Sequence, residues 1–437
     1  MSPEYTAALV LLGSMLALFA IGMPVAFSIG LSAALYMLAS PAGSLLAMPQ
    51  RMINGIDSFT LMAIPFFVLA GELMNTGGIT RRIFRFTDDL VGHLKCGLGY
   101  VNVVANMIFA GMSGSAVADA SGLGAVVMDA MEKRGYERNF SAALTAAAST
   151  IGPLIPPSIP FVIYGSVTSV SIGRLLLAGA IPGFLLGGSL MLFIYCMTRR
   201  KDFPRSHPSR PSLSTLARSF ADAFPALLTP IILVGGIVSG LFTPTEASAT
   251  ACAYALVLGL MVYKEFTLRH LASSFLRTAL FSAEILFIIS TATFFGLVLA
   301  KAQFPQLLMD TFANLHLGSN IYGFLIGINV LLLIMGCVID TNPILIVFCP
   351  LLVPMTEKLG IDPVYFGVLI VFNLMLALLT PPVGMVTYTV LRVSNCSLGG
   401  YTRALMPFLA VMIFDLAILI YFPSLSTFLP NLLLGAR

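Results

Sequence analysis

Tryptophan is absent from this 437-residue chain, and charge is scarce: Asp, Glu, Lys and Arg make up only 10% of it. Soluble domains carry about 25% charged residues. With 58% of its residues hydrophobic, the chain is an integral membrane protein. Tyr and Phe must supply any interfacial belt. Histidine is rare too: His93, His207, His270 and His316 all lie in loops or interfacial arms. No His/Cys/Glu cluster has metal-ligand spacing. The six cysteines are scattered through apolar runs and read as small buried hydrophobes, not a disulfide framework. No G-x-x-x-x-G-K-[ST] loop is present, so no direct ATP coupling is visible. No basic block with interleaved aromatics points to nucleic acid. Residues 1–5 lack the positive charge of a signal peptide, so the first apolar run is expected to be retained.

What is present is a series of membrane-length apolar runs, at about 5–22, 24–40, 57–76, 97–131, 138–169, 175–198, 217–241, 244–263, 275–300, 319–357, 362–392 and 401–422. A spanning helix needs roughly 20 residues. The runs 97–131 and 319–357 are too long for one span. The first is interrupted at Gly111-Met112-Ser113-Gly114-Ser115, the second at Gly336-Cys337-Val338-Ile339-Asp340-Thr341-Asn342-Pro343. Both interruptions are small and polar and carry no Lys or Arg. That pattern favours two re-entrant helical hairpins whose tips lie inside the membrane. The runs that follow are broken by proline pairs, Ile155-Pro156-Pro157-Ser158 and Thr380-Pro381-Pro382. Proline removes a backbone donor, and irregular backbone in lipid is tolerated only where it lines protein or a wet cavity.

Threading the runs with the N-terminus outside and both hairpins returning to their own side puts 18 of the 23 Lys and Arg in the cytoplasm. Only Arg51, Arg174, Lys301, Lys358 and Arg437 fall outside. This is a positive-inside asymmetry, and it places both termini outside. The hairpins then enter from opposite faces. An offset of 225 residues relates the two proline pairs, Glu132-Lys133 with Glu357-Lys358, Gly135 with Gly360 and Pro182 with Pro407. These features predict an all-α polytopic protein with an inverted-topology repeat. The first repeat is 1–198, with its hairpin at 97–131 and broken helix at 138–169. The second is 217–437, with its hairpin at 319–357 and broken helix at 362–392. The basic segment 199–216 is a cytoplasmic linker. Amphipathic stretches at about 78–95 and 301–317 suit helices lying in the interface.

Hydroxyls, Asn and Asp side chains, and carbonyls freed by a broken helix supply the oxygens that a hard cation such as Na+ requires. Ser113 and Ser115 lie at the first tip, with Asp119 one turn beyond; Asp340, Thr341 and Asn342 lie at the second. An acid at mid-membrane is a functional-site hypothesis by default, although Asp340 also suits an N-cap before Pro343. The offset pairs Ser115 with Asp340, so the second of two cation sites is expected to be the more anionic. Glu72, Glu246 and Glu284 read either as relays or as interhelical hydrogen-bonding groups. Gly111-Met112-Ser113-Gly114 also matches the GxSG pattern of intramembrane serine proteases, but the histidine base such chemistry needs is missing from the spans. A channel is weighed against by the paired, inverted interruptions.

The segment Gly111–Asp119, the Ile155-Pro156-Pro157-Ser158 break and Thr243-Pro244-Thr245-Glu246-Ala247 resemble the large membrane subunit of tripartite ATP-independent periplasmic (TRAP) transporters, the DctM/SiaM type. The resemblance implies a bacterial inner-membrane carrier, not an enzyme. It implies import of an organic acid anion, such as a C4-dicarboxylate or sialic acid, on a Na+ gradient. It also implies two partners, a periplasmic substrate-binding protein and a separate small four-helix membrane subunit. An elevator motion is implied, with about 97–169 and 319–392 moving against a scaffold of 5–76, 175–300 and 401–430. Ser113, Gly114, Ser115, Gly152, Pro153 and Pro156 are then expected to hold one Na+, and Asp340, Thr341, Asn342, Leu378, Thr380 and Pro381 another. Ser115, Asp119, Ser158, Asp340, Asn342 and Pro382 are expected to face the anion between the tips. A sodium/anion symporter working without a binding protein is the alternative.

Overall fold

A computed structural model describes residues 3–39, 45–200, 203–207, 209–304, 306–307, 310–311, 320–381 and 384–435. Pro382 and most of the second amphipathic stretch, 301–317, lie outside the described residues. All regular structure among the described residues is helical. Among the described residues, six helices are long and apolar enough to cross a membrane: Phe59–Thr76, Ile172–Thr198, Leu213–Val238, Pro244–Val262, Leu268–Lys301 and Leu398–Tyr421.

Both long runs fold as helix–turn–helix hairpins. The first pairs Gly97–Ser113 with an arm split at Gly122 into Ala116–Ser121 and Leu123–Lys133. A Cβ on Gly122 would fall 2.5 Å from the Asn75 amide, so the helix Phe59–Thr76 presses on the arm where it divides. The second pairs Ile321–Gly336 with an uninterrupted Thr341–Lys358. The broken helices follow: Arg138–Ser149 and Ile159–Thr168 in the first half, Pro363–Ala377 and Met385–Ser394 in the second. Every residue of Pro363–Ala377 is buried, as are all from Phe140 to Ser149. A helix buried all round belongs inside a bundle, so Pro363–Ala377 and residues 140–149 lie at the centre of the molecule, whereas Met385–Ser394 buries only Val386, Thr387 and Val390. Helix ends recur at the 225-residue offset: Lys133 and Lys358 each close a hairpin, and Gly135 and Gly360 follow with φ of +80° and +73°.

Several boundaries differ from those read off hydropathy. The helix drawn at 275–300 begins at Leu268, so Arg269, His270 and Arg277 belong to its first turns and not to a loop. Ser212 of the 199–216 linker caps a helix starting at Leu213. Ala47–Ile56 and Ser424–Leu434 are additional short helices. Ile79–Val91 is helical and amphipathic as expected, but its apolar face packs on Gly97–Ser113 and Leu213–Val238 and not on lipid alone. Arg82 on this helix pairs with Glu265 at 2.7 Å and Asp222 at 3.5 Å and lies over the Tyr263 ring at 3.9 Å.

Candidate functional site

The first tip is closed on itself. Gly114 takes φ +63° to turn the chain, and Ser115 then caps the next helix, accepting from the Ala118 N–H at 3.4 Å. Ser113 donates to Oδ1 of Asp119, which is wholly buried. The other oxygen, Oδ2, has no hydrogen-bond partner. A Cβ built on Gly152 would stand only 2.2 Å from that Oδ2. The carboxylate therefore lies against the unwound segment 150–157, and glycine is what lets it approach. Gly114 also abuts this segment: its carbonyl accepts from the Ile159 N–H at 3.4 Å, and a Cβ there would meet the Pro157 carbonyl at 2.5 Å. The expected contact of tip with broken helix is thus present, with Asp119 at its middle.

The second tip is more open. Asp340 begins Thr341–Lys358 with extended backbone, and its side chain makes no capping hydrogen bond. Thr341 Oγ1 is buried without a partner. Thr380 turns its hydroxyl back to the Leu376 carbonyl at 2.9 Å. A Cβ on Gly384 would fall 2.6 Å from the Leu378 carbonyl and 3.1 Å from that of Thr380, so chain and carbonyls crowd together at this break.

One cavity, with about 550 Å³ of empty space, brings both halves together. Gly114 and Ser115 of the first tip and Asp340, Thr341 and Asn342 of the second line it, together with Pro153 and Leu378 of the two breaks. Phe281 of Leu268–Lys301 closes one side. A larger space of about 850 Å³ adjoins it, sharing Ser115, Val117, Ile159 and Phe281 and reaching Glu72, Asn75 and Arg277. Arg277 Nε donates to Glu72 Oε2 at 3.1 Å. On the other flank Asp340 and Glu284 line a third cavity.

Not every expected residue faces this space. Ser158 is wholly buried, donates to the Pro153 carbonyl and caps Ile159–Thr168 by accepting from the Phe161 N–H at 3.3 Å. It is engaged within the break, not turned toward a ligand. Asp119 lines neither cavity. Each tip thus has one acidic side chain close by, Asp119 at the first and Asp340 at the second, and the two halves differ in where that carboxyl group stands. Glu246 completes a capping box with Thr243, a role legible in the Thr-Pro-Thr-Glu spacing. Sequence reading missed Asp415, wholly buried in Leu398–Tyr421, whose Oδ1 accepts from Ser189 at 2.8 Å. It missed Arg277 as a cavity residue because the apolar run starts only two residues before it.

Residues 12–425 match the family model described as "Tripartite ATP-independent periplasmic transporter, DctM component". The chain belongs to this family. It is a TRAP transporter large permease and not an enzyme; Ser113, of the GxSG pattern, bonds to a carboxylate. Among relatives of this DctM-family chain, it is 44% identical over 416 residues to the sialic acid TRAP transporter large permease protein SiaM of Vibrio cholerae, covering 95% of this chain and 96% of that one. It is 37% identical over 404 residues to the C4-dicarboxylate TRAP transporter large permease protein DctM of Pseudomonas aeruginosa, covering 92% and 94%. The crystal structure of the Alcanivorax borkumensis YdaH transporter shares the fold, with a TM-score of 0.63 at 15% identity over 87% of this chain and 89% of that one.

Proposed function

We propose that this large permease imports an organic acid anion, coupled to Na+, by moving the two hairpins and two broken helices as one body against the remaining helices. The cavity shared by both tips and both breaks carries the reading. Two observations support cation sites at its margins. Asp119 Oδ2 and Thr341 Oγ1 are buried oxygens without hydrogen-bond partners, one beside each break. Buried polar atoms are almost always satisfied, and a hard cation takes oxygen ligands of this kind. Ser113, Ser115, Asp119 and carbonyls of Gly152–Pro156 make up the first Na+ site. Asp340, Thr341, Asn342 and carbonyls of Leu378–Pro381 make up the second. The anion lies between, near Ser115 and Asn342, where the N-terminal end of Thr341–Lys358 favours negative charge.

The recurrence of helix ends at one offset supports an inverted repeat of 1–198 and 217–437 about the 199–216 linker, with 97–169 and 319–392 as the moving part. The positive-inside pattern supports periplasmic termini and a bacterial inner-membrane location. The family name and the Vibrio cholerae relative's description as a "large permease" support two partners, a periplasmic binding protein and a small membrane subunit. The candidate cargoes are the sialic acid and C4-dicarboxylates of the relatives' names. Uptake into proteoliposomes carrying both membrane subunits, with binding protein added outside, tests the reading. Uptake should require Na+, and Asp340→Ala should abolish the coupling; uptake indifferent to Na+ sinks it.

A further inference from the structure

We infer that Arg277 is the scaffold's anion-receiving group: it takes the carboxylate of the cargo as that carboxylate leaves the space between the tips, exchanging Glu72 for it. The inference rests on the proposed transport of an organic anion. That anion needs a positive partner, and among the described residues the cavity between the tips has none: Asp340 is the one formally charged side chain lining it. The adjoining cavity shares four lining residues with it, and there Arg277 is the only Lys or Arg among the described residues. Arg277 stands one helical turn before Phe281, the side chain that lines both spaces. A carboxylate passing Phe281 thus meets the guanidinium next.

The present partner of Arg277 leaves room for such an exchange. Its bond to Glu72 runs through Nε, whereas a guanidinium offers a planar fork that grips a carboxylate through two parallel bonds. The Arg277 side chain is 54% exposed and that of Glu72 26%, so protein does not enclose the pair and a ligand in the cavity can reach the guanidinium. Seven residues, or two turns, beyond Arg277 the same helix places Glu284 in the cavity that touches the second tip. A departing anion is therefore attracted on the Arg277 side and repelled on the other. The Arg277 side is also the one that ends in Thr76, Arg81 and Arg269, the basic end that the charge pattern assigns to the cytoplasm.

The competing role is a static clamp between Phe59–Thr76 and Leu268–Lys301, and opposite substitutions separate the two. The complete complex, with small subunit and binding protein, is reconstituted, and initial uptake of N-acetylneuraminate and of succinate is measured across a range of Na+. Arg277→Gln should slow uptake about tenfold at unchanged half-saturating Na+, and Arg277→Lys, which keeps charge but loses the fork, should fall between it and wild type. Glu72→Gln should transport at or above the wild-type rate, because it frees Arg277. A clamp predicts instead that Glu72→Gln and Arg277→Gln fail alike. That result, or wild-type uptake by Arg277→Gln, overturns the inference. If Arg277→Gln does not assemble, the contrast between Arg277→Lys and Glu72→Gln decides in the same way. A wild-type complex that takes up neither probe overturns both the inference and the transport reading beneath it, whereas Na+-driven uptake with an indifferent Arg277 removes the inference alone.

Discussion

The two tips share a plan and differ in how far their polar groups are already spoken for. At the first, Ser113 is bonded to Asp119, Ser115 caps a helix, and the turn lies between the break at 150–157 and Gly71 of Phe59–Thr76, where a Cβ would make van der Waals contact with the Ser113 backbone at 3.4 Å. At the second, the backbone N–H groups of Thr341 and Asn342 are directed at the Asp340 carboxyl group without closing a capping hydrogen bond, and Thr341 Oγ1 has no partner. The glycine at the same offset as Gly71, Gly296, has open space where its Cβ would be. Each tip keeps one buried oxygen without a partner, Asp119 Oδ2 at the first and Thr341 Oγ1 at the second, and the two differ in how far the neighbouring hydroxyls are already engaged. Related sequence positions can thus divide the work of stability and of binding between them.

That contrast breaks most sharply at the glycines. Gly152→Ala drives a methyl group to within 2.2 Å of Asp119 Oδ2, a contact that real side chains do not make. Uptake in proteoliposomes should fall by at least about a hundredfold, since misplacing a ligating group by about 1 Å already costs that much. Next come the carboxylates. Asp340→Asn removes the charge at the open tip and should raise half-saturating Na+ by about tenfold, corresponding to roughly 1.4 kcal/mol; unchanged Na+ dependence would move the second site elsewhere.

Hydroxyl deletions sharpen the comparison. Ser113→Ala strips a buried carboxylate oxygen of its donor, which costs about 1–3 kcal/mol, and should lower the thermal midpoint of the purified protein. Thr341→Val removes a hydroxyl with no partner and should leave that midpoint unchanged or raised while still slowing uptake. Equal midpoints for the two variants would refute the division of labour. The smallest effect is expected away from both tips. His93 titrates below its ordinary range through burial first, then the positive charges of Arg210 and Arg205 and the neighbouring His207. The fold favours its neutral form, so its contribution is complete above the unfolded value near 6.5 and is lost as pH falls through the folded one. His93→Gln should flatten a shallow loss of thermal stability below about pH 6.5.

Much of this architecture was legible in the residues, for physical reasons. A polar interruption without Lys or Arg inside a run too long for one span cannot face bulk water or lipid, and the two such interruptions became the two tips. The proline pairs could not continue a helix, and Pro156, Pro157 and Pro381 sit at breaks. The details that escaped depend on orientation and on packing between distant segments. Ser158 offered a hydroxyl beside a break, but its position three residues before the Phe161 N–H made it a cap. Asp119 lay one turn from the tip, a distance that says nothing about which neighbour the carboxylate meets; Gly152, 33 residues later, decides that. Arg277 was hidden because hydropathy marks where apolar character begins, and this helix starts two turns earlier in polar residues.

One modest contact bears on how the cargo and its ions are counted. The Tyr164 hydroxyl, in the second segment of the first broken helix, donates to the Pro363 carbonyl at the start of the second at 2.8 Å. Gly367 meets the same ring so closely that a Cβ there would fall 2.6 Å from it. The two broken helices are therefore held to each other at this point. Under the proposed motion of hairpins and broken helices as one body, that joint ties both sets of candidate ligands together, and cargo and ions would be counted as a single parcel.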